Sequence, residues 1–315
     1  MNRINISKNQ FSDLLNLING VFLPLKNFLN KKEFMEIIKN NKYQNNFFTM
    51  PVFFGVNKKL FNKIKNSSEL DFYYKKKYLI KIFDISYYTL NKKLILKRLY
   101  GKNFIKHPYS KKFINENYRF LSFKFKKPNY NNLKHKHFIS PKVFKKKFDV
   151  KKIEKLASFH TRNVPHNAHQ WIHRFLYKKF GSLLIQPLIG QYKKGEYKDD
   201  IILKTNNLAA ACFRTSKVFS IPFFSYPRYA GYREAAFHAI VRKNYGCNFF
   251  WVGRDHAGYK NFFGYEDSRK FCFKNQSKLG IKIITGNEPY YCKNCMRIKN
   301  TNCTNLKCSA RDIIK

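Results

Sequence analysis

The chain has 315 residues, and 44% of them are hydrophobic, which is enough for packed cores and excludes wholesale disorder. Lys and Arg number 63 against 18 Asp and Glu, so the formal net charge is +45. Such a charge attracts polyanions. The lysines are scattered, however, and Asn, Ile, Phe and Tyr are also heavily used, as A+T-rich codons specify. We therefore attribute most of the charge to coding bias and treat nucleic-acid binding as the weaker alternative.

No run of about 18 apolar residues occurs, so no membrane span is expected. The first nine residues lack the apolar core of a signal peptide, which predicts a cytoplasmic protein. Three of the cysteines, Cys212, Cys247 and Cys272, stand alone in apolar or mixed surroundings. They are expected to be reduced, buried thiols.

Residues 1–150 are rich in lysine and contain no cluster of residues suited to catalysis. Alternating and helical apolar patterns predict a mixed, strand-rich domain. The predicted helices and strands are, in order, Phe11–Ile18, Lys32–Asn40, Phe47–Val56, Leu79–Tyr88 and Tyr118–Lys127. The lysine-rich stretch Lys134–Lys152 is the candidate linker to the next domain.

From 151 to 285 the pattern changes to strands that alternate with helices. The predicted elements are a short strand ending near Phe159, then Leu183–Ile189, Ile201–Ala211, Val218–Phe224, Arg233–Asn244 and Asn248–Val252. Strand–helix–strand units with short joints predict a parallel sheet with helices on both faces. Ligands of such sheets bind beyond the carboxyl ends of the strands.

A dense polar cluster follows the first of these strands. It contains His160, Thr161, Arg162, Asn163, His166 and His169. An amphipathic helix begins within it and ends at Gly181, and the unpaired N–H groups of a helix start bind anions. His166 and His169 alone would equally suit a metal pair or a structural pair. His173 and His238 fall inside predicted helices and are expected to be structural.

A second cluster, Gly253-Arg254-Asp255-His256-Ala257-Gly258, directly follows the strand at Val252. Glycine lets backbone approach an anion closely, and arginine can bind it in a bidentate manner. Between the clusters, Pro227–Glu234 brings further basic residues and a glycine to a helix start. Because histidines occur at both turns, we favour an anion-binding site.

Four cysteines lie near the C-terminus: Cys292, Cys295, Cys303 and Cys308. This spacing is typical of a tetrahedral structural zinc site, and a disulfide pair is the alternative. A zinc ribbon on a basic chain would also suit a nucleic-acid-binding protein.

Taken together, Thr161–His169, Arg228–Glu234 and Gly253–Gly258 resemble the ATP sulfurylase (sulfate adenylyltransferase) family, and Asn19–Phe28 is similar to a turn of its N-terminal domain. The resemblance implies an α/β protein with a PUA-like β-rich N-terminal domain over 1–150. A doubly wound parallel-sheet nucleotidyltransferase domain over 151–285 and a small zinc-binding element over 286–315 would follow.

The implied reaction is ATP plus sulfate giving adenylyl sulfate (APS) plus diphosphate, by direct in-line attack without a covalent intermediate. Mg²⁺ would accompany ATP, Zn²⁺ would be structural, and the protein would be a homo-oligomer. The resemblance assigns catalytic roles to Thr161, Arg162, Asn163, His166 and His169. It assigns substrate contacts to His160, Arg162, Asn163, Arg228, Gly253, Arg254, Asp255, His256 and Ala257.

Two departures from the family bear on activity. His160 stands where the family usually has Gln, so its contribution is expected to depend on pH. The residues after Cys308 match the family only faintly, which leaves an inactive relative as an alternative. The physiological direction stays open, because sulfate activation and ATP formation from APS use one site.

Overall fold

The computed structural model describes residues 3–115, 119–126, 128–190, 197–286, 289–299 and 313–314. Its helices are α1 Lys8–Ile18, α2 Lys31–Asn40, α3 Lys58–Ile64, α4 Lys92–Tyr100, α5 Pro108–Asn115, α6 Pro141–Lys147, α7 Asn167–Phe180, α8 Asp199–Ala211, α9 Tyr232–Asn244, α10 Asp267–Lys274 and α11 Gln276–Leu279. Its strands are β1 Arg3–Asn5, β2 Lys42–Tyr43, β3 Asn46–Phe47, β4 Phe54–Val56, β5 Glu69–Tyr74, β6 Lys77–Tyr88, β7 Arg119–Phe125, β8 Ala157–Thr161, β9 Leu183–Ile189, β10 Val218–Ser220, β11 Phe223–Phe224, β12 Phe249–Trp251, β13 Lys282–Ile284, β14 Tyr290–Cys292, β15 Arg297–Lys299 and β16 Ile313–Ile314.

The N-terminal region forms a sheet in the order β1-β5-β6-β7-β4, in which β1 runs parallel to β5 and the other pairs are antiparallel. The predicted helices are present, and the predicted strands Leu79–Tyr88 and Tyr118–Lys127 correspond to β6 and β7. The predicted strand Phe47–Val56 is wrong, since only its two ends are strands. Thr49 explains the interruption: its hydroxyl donates to the Arg233 carbonyl and its own carbonyl accepts from the Arg233 guanidinium.

The second sheet is parallel, in the order β10-β9-β8-β12-β13, with β11 also paired to β9. Alternate strand residues point to opposite faces. Phe159 and Ile185 pack on one side with Leu176 of α7, whereas Leu184 and Phe250 join the core that contains α9. Helices therefore cover both faces, as predicted, and β8 and β12 are direct neighbours.

The lysine-rich stretch predicted as a linker is folded. Helix α6 begins at Pro141, and the Phe144 ring is fully buried against Phe219 and Tyr245. The linker prediction was wrong because the many exposed lysines of this helix obscure, in the sequence, the few apolar residues that pack into the core. The two regions of the chain consequently meet in a continuous hydrophobic core.

Helix α9 joins the parallel sheet to the N-terminal region through buried charges. Just before it, the Arg228 guanidinium lies 2.7 Å from the Asp13 carboxylate of α1, and both side chains are 3% exposed. The Tyr226 hydroxyl donates to the other Asp13 oxygen at 2.6 Å. On α9 itself, Arg233 donates to the Ile38 carbonyl at 3.1 Å and to Asn41 at 2.7 Å, at the end of α2.

Within the described ranges, no helix combines the length and the apolar character needed to cross a membrane.

We predict that Asp13→Asn lowers the free energy of unfolding by about 3–5 kcal/mol, because it leaves the buried Arg228 charge without its counterion. Urea denaturation would measure the loss. The matched control is Asp84→Asn, which breaks the exposed pair with Lys124, whose side chains are 57% and 69% exposed. This control should change stability very little. Equal losses in the two variants would contradict the assigned role of the Asp13–Arg228 pair.

Candidate active site

The carboxyl ends of β8 and β12 bring the two polar turns of the sequence together. His160 lies near the end of β8 and His256 lies after β12, and their ring centroids are 5.4 Å apart. Two adjoining cavities meet at these rings and at His169. The smaller has a volume of about 150 Å³ and is lined by His160, Thr161, Arg162, Asn163, His169, Leu188, Pro227, Tyr229, Glu234, His238, His256 and Ala257. The larger, of about 290 Å³, is lined by Phe159, His160, His166, Ala168, His169, Ile172, Trp251, Gly253, Arg254, His256 and Pro289.

Arg162 is held at the smaller cavity by one tyrosine. Its Nη1 donates to the Tyr229 hydroxyl at 2.9 Å, and the guanidinium carbon lies 5.0 Å from the centre of the Tyr229 ring. The backbone at Ala257, which also lines this cavity, is fixed as well, because the Gly231 N–H donates to the Ala257 carbonyl at 3.0 Å. Arg162 remains exposed, so its other donors can reach an anion in the cavity.

Three histidines form the floor of this cavity: His238 is buried, and His160 and His256 are partly buried. His238 Nδ1 lies 3.1 Å from His256 Nε2, and the ring centroids of His160 and His238 are 4.2 Å apart. Burial, followed by the charge of Arg242, lowers the pKa of His256 to about 3. Burial and Arg242 likewise hold the pKa of His160 well below its ordinary value. The rings are therefore uncharged near neutral pH, and the expected pH dependence of His160 is wrong for that range.

The larger cavity combines an apolar wall with basic and hydrogen-bonding groups. His166 precedes the first turn of α7, its ring stacks on His169 at 3.9 Å, and burial lowers the pKa of His169 to about 3. Arg254 also lines this cavity, and its guanidinium carbon lies 5.2 Å from the Tyr265 ring centre. Such a cavity suits a ligand with a flat apolar part and an anionic part.

Most residues singled out in the sequence line one of the two cavities. Arg228 does not, because its side chain is buried against Asp13 and supports the turn from below. Asp255 also lies outside both linings. Its carboxylate packs beneath Gly258, where a Cβ atom would stand 1.8 Å from Asp255 Oδ1. Neither side chain lines a cavity, and the substrate contacts predicted for Arg228 and Asp255 stay predictions.

Sequence reasoning missed two residues of α9 that reach the smaller cavity. His238, predicted to be structural, is one of the three floor histidines. Glu234 accepts the backbone N–H groups of Arg228 at 2.8 Å and Ala230 at 3.1 Å, which fixes the turn that carries Tyr229. The sequence of α9 contains a signal that could have found them: several ionisable residues occur in this helix without forming one polar face.

The cysteine predictions have mixed outcomes. Cys247 and Cys272 are buried, and burial raises the pKa of each thiol to about 12, but Cys212 is exposed. Cys292 ends β14 and is 1% exposed, and Cys295 lies in the turn before β15. Cys303 and Cys308 lie outside the described residues.

Comparison with known proteins gives two family matches. Residues 135–314 match the model described as ATP-sulfurylase, and residues 1–123 match the model described as PUA-like domain. The sulfate adenylyltransferase of Ignicoccus hospitalis is 29% identical over 306 residues, covering 94% of this chain and 78% of that protein. The enzyme of Pyrococcus abyssi is 29% identical over 296 residues, covering 93% and 77%. That of Halothermothrix orenii is 27% identical over 305 residues, covering 94% and 79%.

Among solved structures, the chain is similar to one described as a hexameric APS kinase from Thiobacillus denitrificans. The TM-score is 0.70 at 13% identity, and the match covers 99% of this chain but only 58% of the solved chain. This likeness shows the fold alone.

Fold and site together define a PUA-like domain joined to an α/β domain whose parallel sheet carries two adjoining cavities, lined by arginine and histidine side chains, at its carboxyl edge. The family match extends over more than half of the sequence and includes both polar turns. The chain belongs to the ATP-sulfurylase family.

We predict that His173 makes stability depend on pH. Its side chain is 1% exposed, neither ring nitrogen has a hydrogen-bond partner among the described residues, and burial lowers its pKa to about 3. An unfolded chain binds this proton below about pH 6.5, so His173 makes stability fall as the pH drops from there toward its folded pKa. The contribution is at most about 1.4 kcal/mol per pH unit.

Urea denaturation of wild type and His173→Leu at pH 7, 6 and 5 checks this. The variant should show the shallower dependence, by close to one proton. Identical slopes would contradict the prediction.

Proposed function

We propose that this protein is a sulfate adenylyltransferase, which converts ATP and sulfate into APS and diphosphate. One observation carries the proposal: a small cavity bearing Arg162, His160 and His256 opens beside a larger one bearing His166 and Arg254. The first suits a tetrahedral oxyanion, and the second suits a nucleotide. Family membership and the names of the relatives agree with this assignment.

Positioning and charge stabilisation would account for catalysis. Arg162, Thr161 and Asn163, with the backbone at Ala257, would hold sulfate so that one oxygen attacks the α-phosphorus in line. The bond from that phosphorus to the bridging oxygen of the β-phosphate breaks, and diphosphate leaves. No covalent intermediate is needed, because sulfate itself is the nucleophile. The same site would run the reaction in reverse.

The nucleotide side would rely on groups at the start of α7 and on the second turn. His166 and His169 would donate hydrogen bonds to the phosphates, supported by the N–H groups of the first helical turn. Arg254, with Gly253 beside it, would bind the phosphate charge from the other wall. Mg²⁺ bound to ATP would neutralise part of the phosphate charge. Because sulfate carries no proton at neutral pH, uncharged imidazoles with low pKa values suffice as donors.

A structural zinc ion belongs to the same proposal. Cys292 and Cys295 lie on a β14–β15 hairpin, an arrangement that suits the first two ligands of a zinc knuckle. Cys303 and Cys308 would complete the tetrahedron and tie the C-terminal segment to this hairpin. Self-association, expected from the family resemblance, is tested by light scattering on the purified protein.

We predict that Arg162→Lys lowers kcat/KM for sulfate-dependent diphosphate release by roughly 10²-fold, because lysine keeps the charge but loses the planar fork. The matched control is Arg174→Lys, which alters an exposed arginine on α7 and should leave the rate unchanged. Equal rates for both variants would contradict a role for Arg162 in sulfate binding. Folded protein that releases no diphosphate in response to sulfate would instead indicate an inactive relative.

We predict that Cys292→Ser loses the bound zinc, because three thiolates hold the ion more weakly than four. Zinc content would be measured by elemental analysis after dialysis. Cys212→Ser is the control, since Cys212 is an exposed cysteine at the end of α8. About one zinc per chain is expected in the control and much less in the variant. Wild-type protein without zinc would end this part of the proposal.

A further inference from the structure

His160, His238 and His256 would first suggest a metal site. Each ring offers one nitrogen, and these three atoms lie within 4.8 Å of one another. Three imidazoles at this spacing are a common ligand set for Zn²⁺. The surrounding charges and hydrogen bonds favour a different role.

Arg242 determines where the proton of His160 resides. Arg242 Nη2 lies 2.6 Å from His160 Nδ1, and a guanidinium can only donate a hydrogen bond. His160 Nδ1 must therefore accept, and a neutral ring then carries its proton on Nε2. A protonated Nε2 has no lone pair for a metal ion.

Arg242 is fixed in this position by its surroundings. The side chain is fully buried, and its Nη1 donates to the His238 carbonyl at 3.2 Å. The rings of Phe223 and Phe250 lie 5.1 Å and 5.5 Å from the guanidinium carbon. The guanidinium therefore has no water-filled space into which it could turn away from His160.

Glu234 orients the second pair of rings. Its Oε1 lies 3.6 Å from His238 Nε2, which favours a proton on that nitrogen. His238 Nδ1 then accepts from His256 Nε2 across 3.1 Å. Both rings are thus placed in defined neutral tautomers, as His160 is.

The net charge around the cluster also opposes a cation. Arg242 and Arg162 both act on His160 and His256 and lower their pKa values. The Glu234 carboxylate, which faces His238, already accepts two backbone N–H groups. A divalent ion would face two guanidiniums, whereas an oxyanion would be attracted to them.

We infer that Arg242 is a positioning residue that keeps His160 in the neutral Nε2–H tautomer, so that His160 donates a hydrogen bond to the oxyanion in the smaller cavity. The three-histidine cluster is then an anion-facing hydrogen-bond network. This inference rests on the proposed function, in which the oxyanion is sulfate.

The groups that face His160 come from several elements. They are Arg242 and His238 on α9, Arg162 and His256 on the two turns, and the Gln186 carbonyl on β9. The Gln186 carbonyl acts in the opposite direction and raises the pKa of His160, but burial and the charges outweigh it. His160 should therefore bind the oxyanion equally well between about pH 6 and 8.

Nitrogen NMR of histidine-labelled, zinc-loaded protein tests the tautomer directly and needs no turnover. The His160 signals are assigned by their loss in His160→Gln. We expect the Nε2–H neutral form from pH 6 to 8, and a shift of the Nε2 signal when sulfate is added. An Nδ1–H form, protonation in this range, or indifference to sulfate while other site signals respond would overturn the inference. So would movement of all three rings on adding further Zn²⁺.

The pH profile of activity separates positioning from a structural role. Arg242→Met should lower kcat/KM by roughly tenfold to hundredfold, the effect of losing a charge-assisted hydrogen bond. It should also shift the acid-side inflection to higher pH, because loss of the Arg242 charge raises the pKa of His160, although burial still lowers it. The inflection should vanish in Arg242→Met combined with His160→Gln, since glutamine does not titrate. Lys243→Met, an exposed neighbour on α9, is the control and should match wild type.

Arg242→Lys keeps a charged donor and should keep the Nε2–H signal, which covers the case in which Arg242→Met does not fold. An inflection that persists in the double variant would overturn the inference. If wild type shows the expected tautomer but no diphosphate release, the proposed function fails while the tautomer assignment stands.

Discussion

Helix α9 is enclosed over most of its length, since every residue from Arg233 to Arg242 is buried. Its ionisable side chains must therefore find partners inside the protein, since an unpaired buried charge is very costly. Arg233 meets the end of α2, Glu234 holds the preceding turn, and Arg242 meets His160. The N-terminal region and the cavity are connected because both supply hydrogen-bond partners for the buried polar side chains of α9.

This constraint explains why the site consists of uncharged imidazoles beside guanidiniums. Burial and neighbouring arginines depress the pKa values of His160, His238 and His256, so that positive charge is confined to the arginines. Fixed N–H donors in a buried pocket need little reorganisation when negative charge develops. Such a pocket suits transfer to an oxyanion that arrives already deprotonated.

The buried pair of Asp13 and Arg228 shows how the N-terminal region contributes to the site without reaching a cavity. Arg228 lies between Pro227 and Tyr229, which both line the smaller cavity. The Tyr229 hydroxyl accepts a hydrogen bond from Arg162. Arg228, which the sequence predicts to bind substrate, makes a buried ion pair with Asp13 in the structure. Sequence alone cannot separate these roles, because both require an arginine at the same point of the turn.

Sequence patterns alone predict the alternating strands and helices, the position of both polar turns and their place at the carboxyl ends of strands. Periodicity and local turn residues are short-range properties, so they can be read from the chain directly. The tertiary structure decided that β8 and β12 are neighbours, that His238 faces the cavity, and that Arg228 faces Asp13. Partners separated by as many as 215 residues make these contacts, and no local pattern encodes which of several buried charges will meet.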